Sequence, residues 1–130
     1  MTDTGVMFKL DLKSRVPIFV QIVEQVKELI ASGRLRPSDK LPTVRKVAVD
    51  LMINPNTVSR AYLELEHSGI IETQRGVGAF VSEKIGADYS KAETRRQTEK
   101  LIGSFLRDMM ELGHSPGNIL AELRKALGGN

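Results

Sequence analysis

The sequence predicts a mainly α-helical chain that carries one small β-hairpin. Three observations point there. Apolar residues recur at helical spacing in three consecutive stretches between residues 17 and 69. Two short strand-like runs then flank "RGVG". Beyond residue 99, two more stretches concentrate their apolar residues on one helical face.

The chain has 130 residues, of which 41% are hydrophobic and 27% charged, a composition that suits a soluble, folded protein of one domain or one domain with an appendage. It contains no cysteine, so disulfides and thiolate metal sites are excluded. The opening "MTDTGVMFKL" has no basic stretch followed by an apolar core, and no apolar run approaches the ~20 residues that span a bilayer. A cytoplasmic protein without a membrane partner is expected. The net charge of +3 is modest. Its distribution is more informative: Arg34, Arg36, Lys40, Arg45, Lys46 and Arg60 face only Asp39 and Asp50 in the same interval.

Residues 8–12, "FKLDL", alternate apolar and polar and predict a short half-buried strand. Pro17 suits a first helical turn, where its missing N–H costs nothing. Phe19, Ile22, Val23, Val26, Leu29 and Ile30 then form a broad apolar face, and Gly33 stops that helix. After the loop "RLRPSDKLP", Thr43 can cap a second helix whose stripe is Val44, Val47, Ala48 and Leu51. A third helix starts at Pro55 and buries Val58, Ala61, Tyr62 and Leu65 before Gly69 ends it. Two short helices joined by a tight turn meet the requirement of a helix-turn-helix. "GIIETQ" and "GAFVSE" follow as a hairpin whose tip uses Gly76 and Gly78. Together these elements predict a winged helix-turn-helix over residues 8–82.

From residue 83 to 99 the chain is polar and is expected to act as a hinge running into a helix start. Leu101, Ile102, Phe105, Leu106, Met109 and Met110 then make an apolar face that needs a partner. Gly113 ends this helix, Ser115 caps the next, Pro116 takes its first position, and Ile119, Leu120, Leu123 and Leu127 follow. Residues 83–130 therefore predict a two-helix module, too small to be stable alone. A homodimer interface is expected at Leu101, Ile102, Phe105, Leu106, Met109, Ile119, Leu120 and Leu123.

The third helix carries the candidate reading surface. At 100° per residue, Asn56 and Arg60 lie opposite the buried stripe, with Thr57 and Ser59 on its shoulders. All four fall in the first two turns, the part that meets base edges in helix-turn-helix docking. Asn can bridge N6 and N7 of adenine, and Arg can fork onto O6 and N7 of guanine. Asn54, just before Pro55, is a capping residue. Arg45 and Lys46 open the second helix, where the helix dipole disfavours a cation and a phosphate partner would favour one. Arg75 at the wing tip has two readings, insertion into a minor groove or simple solvation. Leu63 falls near the exposed face and fits this plan poorly. The candidate contacts to double-stranded DNA are thus Thr43, Arg45, Lys46, Asn56, Thr57, Ser59, Arg60, Arg75, Gly76 and Gly78.

His67 and His114 stand alone, and neither a metal site nor a catalytic constellation emerges from their surroundings. No enzyme activity and no cofactor are expected. The competing non-enzymatic reading is a winged-helix adaptor that meets a protein instead of DNA.

Pro17 to Val81 resembles the DNA-binding domain of GntR-family bacterial transcription regulators. The resemblance rests on "LPT-x-R" from Leu41 to Arg45, on "NPNTVSRAY", and on "G-x-G-x-FV" from Gly76. "NPNTV" with a short two-helix tail is similar to the YtrA-like branch. The resemblance implies a dimeric repressor on a near-palindromic operator, with the C-terminal helices forming the dimer. It implies DNA contacts at Arg45, Asn56, Thr57 and Arg60 and at the wing from Arg75 to Gly78. It further suggests regulation of a local operon, such as one encoding an ABC transporter. Any small-molecule effector is expected at a subunit interface or hinge. This chain departs from many relatives at Pro55 and Ser59, which are uncharged, at Phe19, where tyrosine is common, and at Ser38, where glycine is usual.

Overall fold

Pro17 sits at the N-cap of the first helix with φ −55° and ψ 146°, an extended conformation that its ring favours. The computed structural model describes residues 5–129. The leader reading made on residues 1–10 therefore lies in part outside the described residues. Helix α1, Ile18–Ala31, buries Ile22, Val23, Val26 and Ile30 along one face. Helix α2, Val44–Leu51, is capped by Thr43, whose hydroxyl accepts from the Lys46 N–H at 3.1 Å. It ends at Met52 in the left-handed region, and the Ile53 N–H returns to the Ala48 carbonyl to close the turn. Helix α3, Pro55–His67, begins from Asn54, whose Oδ1 accepts from the Asn56 N–H at 2.8 Å. Its buried residues are Val58, Ala61, Tyr62 and Leu65.

Strands β1, Ile71–Gln74, and β2, Gly78–Val81, pair antiparallel with Ile71 opposite Val81 and Gln74 opposite Gly78. The Val77 N–H bonds back to the Gln74 carbonyl at 2.9 Å, and Gly76 takes φ 79°. That is the position in this turn where a side chain is disfavoured. The outer edge of β2 is not left open. Ser38 and Leu41 donate to Val81 and Ala79, and Val81 donates to Asp39, each at 2.8 Å. The loop before α2 thus acts as a third partner for the wing and anchors it to the helices.

One core joins these elements: Phe8, α1, Leu35, Leu41, the inner faces of α2 and α3, Ile70, Ile71, Val81 and Ile85. One expectation is corrected and another refined. Residues 8–12 form no strand, because glutamine amides from α1 take the place of a partner strand. Gln25 Oε1 accepts from the Lys9 N–H, and Gln21 Oε1 from the Asp11 N–H. Gln21 Nε2 also donates to the Asp11 and Val16 carbonyls. Of the alternating apolar residues Phe8 is buried, Leu10 half-buried and Leu12 exposed, so the expected burial of one side holds only at the start of the segment. The polar stretch 83–99, expected as a hinge running into a helix start, turns helical early: helix α4 begins at Ala87 and runs to Glu111. Tyr89 packs against the first core, and Thr94 Oγ1 donates to the Ala31 carbonyl at 3.1 Å.

The chain separates into two units, residues 1–94 and 95–130, beyond the 82/83 boundary expected from composition. The second unit holds the rest of α4 and helix α5, Pro116–Ala126, which Ser115 caps by accepting from the Asn118 N–H. Ile119 is buried there, and Phe105, Leu106 and Met109 are half-buried. Leu101, Ile102, Leu120 and Leu123 are exposed, as are Met110, Leu112 and Leu127. Among the described residues no helix is long and apolar enough to cross a membrane.

Candidate nucleic-acid interface

The exposed surface of α3 follows from its buried one. Val58, Ala61, Tyr62 and Leu65 are tied to the core, and Tyr62 is fixed further by donating its hydroxyl to the Pro42 carbonyl. Burial pushes the Tyr62 hydroxyl pKa far above its usual value, so this donor stays protonated. Rotation of α3 is thereby set, and Asn56 and Arg60 face outward with Thr57 and Ser59 half-buried at the shoulders. Because Asn54 supplies the cap, the Asn56 side chain is left over for another task.

The flanking cations differ from one another. Arg45 is exposed on the first turn of α2. Lys46 pairs with Asp50 one turn on, Nζ to Oδ2 3.1 Å, with both side chains about half exposed. Such a pair contributes only ~0.3–0.5 kcal/mol and can open when a phosphate approaches. The spacing of Lys46 and Asp50 in the sequence already permitted this pairing. Thr43 lines a groove together with Val44, Ser59, Tyr62, Leu63, Thr73 and Gly78. Leu63, 63% exposed, thus borders the cleft between α3 and the wing, where its apolar surface meets Val44 and Ala79 as neighbours in the lining. Arg75, Gly76 and Val77 are exposed at the wing tip. Gly78 has φ 142°, and a Cβ there would come within 2.9 Å of Lys40 Cε. The lysine's aliphatic chain therefore lies against β2 at the end next to the wing tip.

Two side chains at this surface stand out only in the structure. Lys40 belongs to a basic stretch of the sequence and lies against Gly78. Phe19 belongs to the apolar face of α1, yet its ring lies beneath Arg60, with the guanidinium carbon 3.9 Å from the ring centroid. Nothing in the sequence brings residues 19 and 60 together except the packing of α1 on α3. No group of three or more His, Cys, Asp or Glu residues among the described residues could hold a metal ion.

A trihelical core and a hairpin wing make this a winged helix-turn-helix protein, with an outward hydrogen-bonding face on the third helix. Residues 19–81 match the family described as bacterial regulatory proteins of the gntR family. The HTH-type transcriptional repressor YtrA of Bacillus subtilis is 53% identical over 77 residues, which span 59% of this chain and 59% of that protein. The uncharacterised HTH-type transcriptional regulator YhcF of the same organism is 37% identical over 86% of this chain and 91% of its own length. A GntR-family regulator from Listeria monocytogenes superposes with a TM-score of 0.70 at 34% identity, covering 89% of this chain and 98% of that one. The chain belongs to the GntR family, in its YtrA-like branch. It is a transcription regulator and not an enzyme.

Proposed function

We propose that this protein is a cytoplasmic homodimeric repressor that occupies a near-palindromic operator of a local operon, such as one encoding an ABC transporter. The observation that carries the reading is the first two turns of α3: Asn56, Thr57, Ser59 and Arg60 share the outward side of a helix whose rotation the core fixes. In this reading Asn56, Thr57, Ser59 and Arg60 meet base edges. Thr43, Arg45 and Lys46 hold phosphates, and Arg75, Gly76 and Gly78 bring the wing against the backbone or minor groove. The two α3 helices of a dimer enter major grooves about one helical turn apart. Residues 83–130 supply the dimer contact through Leu101, Ile102, Phe105, Leu106, Met109, Leu120 and Leu123, whereas Ile119, expected there too, is already buried within its own chain and drops out of that surface. An effector, where there is one, binds at the subunit interface.

The test is a gel-shift titration of the full chain on the promoter of its own gene at two salt concentrations. Sequence-specific binding is expected, with affinity falling steeply as salt rises because bound phosphates release counterions. Equal affinity for the promoter and a scrambled duplex would remove the operator reading. Failure to bind even at low salt would return the face of Asn56 and Arg60 to a protein partner.

A further inference from the structure

Arg60 is held in an unusual way for a surface arginine. Glu64 lies one turn further along α3, at the spacing that commonly gives an ion pair. The contact found for Arg60 is instead with Phe19, one helix away, its guanidinium carbon 3.9 Å from the ring centroid. That distance places the cation well inside cation–π range, over the ring face.

The two modes of holding an arginine differ in what they leave free. A carboxylate engages the guanidinium through its in-plane N–H groups, the same fork that recognises O6 and N7 of guanine. An aromatic ring engages the flat face and leaves that fork unoccupied. Stacking also restricts the side-chain torsions before DNA arrives, so less freedom is lost on docking. Phe19 is well placed to do this because its own ring is partly buried against the core. We propose that Phe19 is a specificity-determining positioning residue: it holds Arg60 by its face and presents the donor edge to the major groove. The inference rests on the reading of Arg60 as a base reader.

The test uses the full-length protein and a randomised duplex library, followed by the selected duplex and its single-base-pair variants. Arg60→Ala should flatten the preference at particular positions. Phe19→Leu keeps an apolar side chain on α1 and removes the ring. It should weaken preference at those same positions by roughly threefold to tenfold, the range of a cation–π contact at a partly exposed site. Phe19→Tyr should retain wild-type discrimination, and Phe19→Leu should add nothing in an Arg60→Ala background. In DNA-free protein, ring-current shifts on the Arg60 side-chain protons should be present in wild type and Phe19→Tyr and absent in Phe19→Leu.

Uniform weakening of every duplex by Phe19→Leu would mark a merely structural role and overturn the proposal. Unchanged discrimination in Phe19→Leu, with discrimination lost in Arg60→Ala, would overturn the role of Phe19 and leave Arg60 as a reader. Unchanged discrimination in Arg60→Ala would overturn both. Absence of the ring-current shifts in wild-type protein would overturn the stacking independently of DNA.

Discussion

Two single residues carry conformational or electrostatic stress that stability measurements can reveal. Ser38 holds φ at 71°, in the left-handed region where an L side chain costs about 1–2 kcal/mol. The family resemblance leads one to expect glycine at this position, and the backbone gives a reason: the turn aims the Ser38 N–H at the Val81 carbonyl and seals the wing. Ser38 Oγ partly offsets the strain by donating to Glu83 Oε1 at 3.0 Å on the surface. Ser38→Gly relieves the strain but adds freedom to the unfolded chain, which costs about 0.4–1 kcal/mol. A net gain of about 0.5–1 kcal/mol is expected, seen as a rise in Tm. A fall would mean that the Glu83 contact outweighs the backbone.

Tyr62 is the second case. Its hydroxyl is buried, donates to the Pro42 carbonyl, and has its pKa raised by desolvation. Tyr62→Phe should cost about 1–2 kcal/mol at neutral pH by orphaning a buried acceptor. The raised pKa also sets a direction with pH. Above about pH 10 the unfolded tyrosine loses its proton while the folded one keeps it. The unfolded state then binds fewer protons, so stability falls as pH rises. The contribution of Tyr62 is therefore complete below pH 10 and fades above it. Chemical denaturation should show the gap between wild type and Tyr62→Phe narrowing from about pH 10 upward. A pH-independent gap would contradict the buried donor.

At the scale of elements, the helices of the first unit were legible because each carries local signals of both its ends and its inner face. Thr43 and Asn54 cap as expected; the α3 stripe is its buried set, and the α2 stripe holds buried Val47 and Ala48 between half-buried Val44 and Leu51. Asn54 and Asn56 illustrate how one residue type divides into two roles by position alone. Asn54→Ala should destabilise the first unit by about 1 kcal/mol, the usual value of an N-cap. It should leave preference among operator variants unchanged, measured as ratios of affinity. A changed ratio would make Asn54 a reader as well. The misreadings have physical causes of their own. "FKLDL" has the alternation of a strand, but alternation reports only that one side is buried. It cannot report that Gln21 and Gln25 satisfy the backbone in place of a neighbouring strand. The position at which α4 starts leaves little trace because "GADYSKAETRRQTEK" lacks an apolar stripe: Tyr89 packs on the first core, and the buried residues of the stretch, Glu93 and Gln97, are polar. The stack of Phe19 on Arg60 depends on the packing of two helices and leaves no local trace in the sequence.

At the scale of the whole molecule, the apolar residues of the second unit make the strongest demand. Leu101 is 70% exposed, Leu112 76% and Leu127 84%, and Ile102, Met110 and Leu120 are each more than half exposed. Burying one such side chain fully contributes about 1.5–3 kcal/mol, so several together can drive association of two chains. The first unit has a core of its own that includes Ile85 and Tyr89. This moves the informative truncation to the end of Thr94, since cutting at residue 83 would strip apolar cover from that core. A chain ending at Thr94 should unfold cooperatively on heating and sediment as a monomer. It should still prefer its operator half-site, because the reading face is intact. Its affinity for the full operator should fall by about 10²–10⁴, as the second half-site no longer benefits from the high effective concentration of a tethered partner. The slope of log affinity against log salt should fall to about half, because half of the phosphate contacts are gone. A truncated chain that remains dimeric would place the interface in the first unit. A monomer with undiminished operator affinity would mean that one copy suffices, and the near-palindrome would have no structural counterpart.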